Sequence, residues 1–77
     1  MPAMNLQVEK VPSMYRTNIK IGSEVDVVLK KDQRTGKRTR GKVHTILTSS
    51  PFHSRGIKVQ LDSYQIGRVQ EIITQNI

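Results

Sequence analysis

Most of the groups in this chain that could bind a ligand lie in one short stretch. Lys30, Lys31, Arg34, Lys37, Arg38, Arg40 and Lys42 fall within thirteen consecutive positions, opposed there only by Asp32. That segment carries +6 of a formal net charge of +7, which comes from 13 Lys and Arg set against 6 Asp and Glu. Cationic groups at this density suit phosphate: the ammonium acts as a point charge, and the guanidinium is a planar fork that takes two oxygens at once. A polyanion is the expected partner, first of all RNA phosphates on structured RNA or a ribosome, although charge alone does not separate RNA from DNA. The same residues have a plainer reading as a solvated hairpin, kept charged so that it does not pair with another copy.

A second group gathers in Thr48-Ser49-Ser50-Pro51-Phe52-His53-Ser54-Arg55-Gly56. Hydroxyls, the His53 imidazole and the Arg55 guanidinium can hold an anion together, and an exposed Phe52 could stack on a base. Alternatively Phe52 plugs one barrel end and the serines bond turn backbone. Arg68 completes the candidate nucleic-acid-binding set. His44 and His53 have neither cysteine partners nor metal-ligand spacing, so no metal is expected. There is no nucleophile elbow, Gly-rich phosphate loop or carboxylate pair, so neither an enzyme nor a cofactor is expected. Asp26, Asp32, Asp62, Glu9, Glu24 and Glu71 are scattered over turns and polar strand faces, where solvated charge is the default.

These side chains need a scaffold, and 77 residues leave room for one domain. Tyr15, Phe52 and Tyr64 are the only aromatics, so the core must be aliphatic and β-branched. With no cysteine in the sequence, disulfides are excluded along with thiolate chemistry. No apolar run approaches the roughly 20 residues that span a bilayer, and no signal-peptide layout is present. A cytoplasmic protein without membrane contact is the expectation.

Residues 1–18 show two prolines and no period and are read as a flexible N-terminal arm. Residues 19–77 are read as the domain. Val25, Val27 and Leu29 alternate with Asp26, Val28 and Lys30 and predict a strand over 23–31, followed by a hairpin tip over 32–37. In that tip Asp32 can bond its own downstream backbone, and Gly36 can take positive φ. A second strand over 38–48 places Gly41, Val43, Thr45 and Leu47 on one face. Ile57, Val59 and Leu61 mark a third strand. Residues 65–69 give a short fourth, with Gly67 at a bulge or close approach, and 72–75 a possible fifth. Four to five antiparallel strands in about 55 residues hide one face best by curling on themselves, so the fold class is all-β, a small SH3-like barrel. A five-stranded OB-type barrel is the runner-up. Val25, Val27, Leu29, Val43, Leu47, Ile57, Val59 and Leu61 should form one buried cluster.

The segment VDVVLKKDQRTGKRTRG (Val25 to Gly41), with ILTSSPFHSRGIKVQL and IGRVQEI after it, resembles the YwbE family of small microbial proteins over about Asn18 to Ile72. Its strongest part is the run from Leu29 to Lys37. The resemblance implies a compact SH3-like β fold and carries no assigned activity. The sequence departs from the pattern at Asp62-Ser63-Tyr64, where an acidic-Gly pair is expected, which predicts a looser hairpin and an exposed Tyr64. Gly41-Lys42-Val43 and Gly67-Arg68-Val69 also resemble the Gly-basic-Val turns of KOW-type ribosomal modules. Two functions follow as expectations: a binding module for RNA phosphates, or a protein-interaction module that docks a partner on the barrel edge or the 49–56 loop.

Overall fold

The computed structural model describes residues 12–73. They form four strands, β1 (Glu24–Leu29), β2 (Thr39–Ile46), β3 (Lys58–Leu61) and β4 (Ile66–Ile72), with short 3-10 turns at Pro12–Met14, Arg16–Asn18 and Lys30–Asp32. Each strand is antiparallel to the next, and β4 pairs back onto β1 to close a barrel. This is the all-β, SH3-like architecture expected from the alternation. The two C-terminal segments are one strand as far as Ile72, and the predicted continuation over 74–75 lies outside the described residues.

The core is Ile19, Val25, Val27, Leu29, Val43, Ile57, Val59, Leu61 and Val69. Leu47, expected in it, is 43% exposed, and Ile46 packs against the core instead. The cause is a β-bulge. Val43 pairs with Leu61 but Thr45 with Gln60, so His44 is an extra residue and the inward face shifts by one position. A second irregularity pairs Asp26 with Glu71 but Val27 with Val69, leaving Gln70 as the extra residue in β4.

The two Gly-basic-Val triplets lie within β2 and β4 and are not turns. Their glycines serve close approach. A Cβ on Gly67 would lie 2.7 Å from the Val28 carbonyl oxygen, and one on Gly41 would lie 2.9 Å from Leu61 Cδ1.

The described part of the predicted arm, residues 12–18, is docked on the barrel. The Ile57 N–H donates to the Ser13 carbonyl at 3.0 Å, the His53 N–H to the Met14 carbonyl at 2.9 Å, and the Arg16 N–H to the Pro51 carbonyl at 2.9 Å. Ser13 is buried, and the Tyr15 and Phe52 rings pack with centroids 5.2 Å apart. Phe52 therefore neither plugs the barrel nor stands free, since it anchors this segment and stays 40% exposed. Lack of period concealed the docking, because backbone bonds to a loop leave no pattern of side-chain types.

Candidate nucleic-acid interface

The seven clustered cations fall into three groups. Lys30, Lys31, Arg34 and Lys37 are exposed on the β1–β2 loop. The hairpin expected from strands over 23–31 and 38–48 is paired over a shorter length, because the β1–β2 ladder stops at Val27 opposite Thr39. Beyond it the chain makes a 3-10 turn and then a tight turn, in which the Asp32 carbonyl accepts from the Gly36 N–H at 2.8 Å and the Thr35 N–H at 3.2 Å. Gly36 takes φ 76° there, as its lack of a Cβ permits. It is thus the Asp32 carbonyl that holds the turn, and its Oδ2 is buried without a hydrogen-bond partner among the described residues.

Arg38 and Arg40 form the second group, and both are paired. Arg38 Nη1 lies 3.0 Å from Glu71 Oε1, with both side chains about half exposed. Arg40 donates through Nε to Asp26 Oδ1 at 2.9 Å and through Nη2 to Asp26 Oδ2 at 3.3 Å. The pairing follows from register, since Asp26 stands opposite Arg40 in β2 and opposite Glu71 in β4. Asp26 is only 8% exposed, so it is not the solvated carboxylate expected from its polar face. The hydrogen bond from Arg40 holds its carboxyl below the ordinary value of 3.8, outweighing the upward push of burial. With Asp26 and Glu71 counted beside the +6 segment, the local charge falls to +4. Lys42 is the third group. It is opposite Glu24, three residues along the ladder from Thr39 and about 10 Å from the loop by strand rise.

Of the remaining candidates, Arg55 and Arg68 meet the loop across a groove, and His53 does not line it. An open groove of about 400 Å³ is lined by Val28, Gln33, Gly36, Arg55, Arg68 and Gln70. The β1–β2 loop forms one wall and the 49–56 loop the other, with β4 and Val28 of β1 as the floor. Gly56 makes this possible. It is buried at φ 100°, and a Cβ there would run into the Val69 carbonyl, so only glycine lets the loop lie on β4. Arg68 Nη1 then donates to the Gly56 carbonyl at 3.1 Å, and Gln70 Nε2 donates to the Arg55 carbonyl at 3.2 Å. His53 serves the loop itself, with Nδ1 accepting from the Arg55 N–H at 3.1 Å.

Sequence reasoning missed Val28, Gln33 and Gln70 as lining residues, and placed Gly36 only in the turn. Gln70 had no visible signal, because a bulge depends on the partner strand. The groove offers two guanidinium groups, two side-chain amides and one apolar residue, Val28, which suits an anion carried on a partly apolar molecule. Among the described residues no group of three or more His, Cys, Asp and Glu could hold a metal ion. No helix of the described residues is long and apolar enough to cross a membrane.

Fold and groove together define a small closed β-barrel with a cationic cleft between two loops. A family model described as an uncharacterized conserved protein (DUF2196) matches residues 13–72, which includes most of the docked segment. The Uncharacterized protein YwbE of Bacillus subtilis (strain 168) is 56% identical over 59 residues, covering 77% of this chain and 91% of that protein. The chain belongs to the YwbE family. No solved structure matches it.

Proposed function

We propose that the protein is a non-enzymatic binding module that engages RNA phosphates, on structured RNA or a ribosome, with the β1–β2 loop and the groove beneath it. The observation that carries this reading is convergence: Arg55 and Arg68, distant in sequence, line one cleft, and the loop that contributes Gln33 and Gly36 to its other wall also bears the exposed Lys30, Lys31, Arg34 and Lys37. Phosphate ligands spread over a loop and a groove track a backbone and read little of its sequence. Arg38 and Arg40 take a smaller part, because their guanidinium groups already hold carboxylates.

The competing reading is a protein-docking module. Closure of the barrel gives each of the four described strands a neighbour on both sides, so among the described residues that reading finds no free edge strand and falls back on the 49–56 loop. The test is RNA binding by fluorescence anisotropy over a salt series. Contact with about four single-stranded phosphates gives a slope of log K against log salt near −3, each phosphate contributing about −0.7. Changing Lys30, Lys31, Arg34 and Lys37 to Gln should flatten the slope and weaken all sequences alike. Unchanged affinity and slope would remove the loop from the mechanism. A partner that still copurifies after nuclease treatment would favour docking.

A further inference from the structure

The β3–β4 turn, Asp62-Ser63-Tyr64, is closed by the Tyr64 N–H donating to the Leu61 carbonyl and the Leu61 N–H donating to the Gln65 carbonyl, both at 2.8 Å. Tyr64 sits at φ 72°, and no other non-glycine among the described residues has positive φ. In a three-residue hairpin loop glycine ordinarily takes this left-handed position, because a Cβ there crowds the following carbonyl. Here a tyrosine bears the strain, and the residue is 72% exposed. Of the large hydrophobic residues exposed on the described surface it is the most exposed.

His44, the residue bulged from β2, is exposed beside it, with ring centroids 6.1 Å apart and planes tilted by 53°. Gln60 Nε2 donates to the Tyr64 carbonyl at 3.4 Å. On the outer face Gln60 stands opposite Ile66, and Lys58 opposite Arg68. The two cations are thus two residues along the ladder from the pair that leads into the turn, about 7 Å by strand rise. Arg68 also lines the groove, so aromatic rings, an amide, a cation row and the cleft follow one another on a continuous face. Unpaired nucleotides carry open π faces along a row of anions and match this order, whereas a duplex keeps its base faces stacked inside.

We propose that this face takes single-stranded nucleic acid, with one base stacked on the Tyr64 ring beside His44 and the adjoining phosphates on Lys58 and Arg68. The proposal rests on the phosphate-binding reading above and adds the state of the strand: loops, bulges and ends rather than helices.

The experiment compares the parent, Tyr64→Phe, Tyr64→Gly and the loop variant against a labelled single-stranded 12-nucleotide RNA, the same sequence in DNA, and an RNA duplex of equal length. Tyr64→Gly deletes the ring while relieving the left-handed backbone, and a circular dichroism melt confirms that the barrel is kept. We expect Tyr64→Gly to weaken single-strand binding about fivefold or more, the loss of one base–aromatic stack. The salt slope stays unchanged, because no cation is removed. Tyr64→Phe keeps the stack and stays within about twofold of the parent. Duplex binding is weaker in the parent and equal in Tyr64→Gly, and the tighter of the RNA and DNA strands identifies the source. Parental single-strand affinity in Tyr64→Gly, alongside a loop variant that has lost it, overturns the stacking proposal and leaves the phosphate reading standing. A parent that prefers duplex overturns it too. A parent that binds neither strand nor duplex overturns both readings, and protein docking then leads.

Discussion

The two loops that wall the groove are held in different ways. The backbone bonds of the β1–β2 loop stay within it, from the Gln33 N–H to the Lys30 carbonyl and from Thr35 and Gly36 to Asp32. The 49–56 loop is bonded outward on several sides: to Met14 through the His53 N–H, to Arg16 through the Pro51 carbonyl, and to Arg68 and Gln70 through the Gly56 and Arg55 carbonyls. The first wall can shift without disturbing the barrel, while the second cannot move without unlatching β4 and the docked segment. A cleft built this way has one wall fixed to the barrel and one held only by its own turn, and on the proposed function the cations of the second would follow phosphates.

Glycine substitutions test that contrast most sharply. Gly56→Ala should cost about 3 kcal/mol or more, because positive φ and a backbone carbonyl both oppose the new Cβ. Gly36→Ala meets nothing within 4 Å and should cost about 1–2 kcal/mol from its φ alone. Urea melts would check both, and equal losses would mean that the two loops are held alike. Val59→Ala, a core truncation with no bearing on either loop, sets the scale of the barrel itself at roughly 1–3 kcal/mol. If that variant melts with the parent, the strand phase is wrong.

Charge changes should separate binding from stability. Replacing any one of Lys30, Lys31, Arg34 or Lys37 with Gln should leave unfolding within about 0.5 kcal/mol of the parent. Arg40→Gln differs, because it leaves the buried Asp26 carboxylate without its donor. It should lower the melting temperature more than any of those four loop changes, and equal melting temperatures would show that Arg40 behaves like a loop cation.

The smallest expected effect is a pH dependence. Asp26 titrates below its ordinary value in the folded state because Arg40 donates to it. Its contribution is therefore fully present above the ordinary value of 3.8 and is lost as pH falls from there through the lower folded value. An acid melt series should show the parent losing stability more steeply below about pH 4 than Asp26→Asn, which has no carboxylate to titrate. Parallel acid limbs would remove the pair from the account.

Much of the barrel was legible from side-chain types alone. Val25, Val27, Leu29, Val43, Ile57, Val59 and Leu61 are buried as their alternation required, and Gly36 takes the positive φ expected at a turn. Ile19 and Val69 are buried as well, although Ile19 lay outside any clear period. At the candidate site the loop cations were visible as a charge run. Their division into exposed and paired groups was not, because Arg38 and Arg40 differ from Lys37 only in which carboxylates the neighbouring strands bring beside them.

The sequence by itself determined a β chain with one apolar face, a turn at Gly36 and nearly all its net charge in one segment, since period, turn chemistry and charge are local properties. The tertiary structure alone decided the bulges at His44 and Gln70, the docking of residues 12–18 and the meeting of Arg55 with Arg68. Each of these depends on register between strands distant in sequence. Closing a four-stranded barrel imposes that register as a whole, and no single segment encodes it.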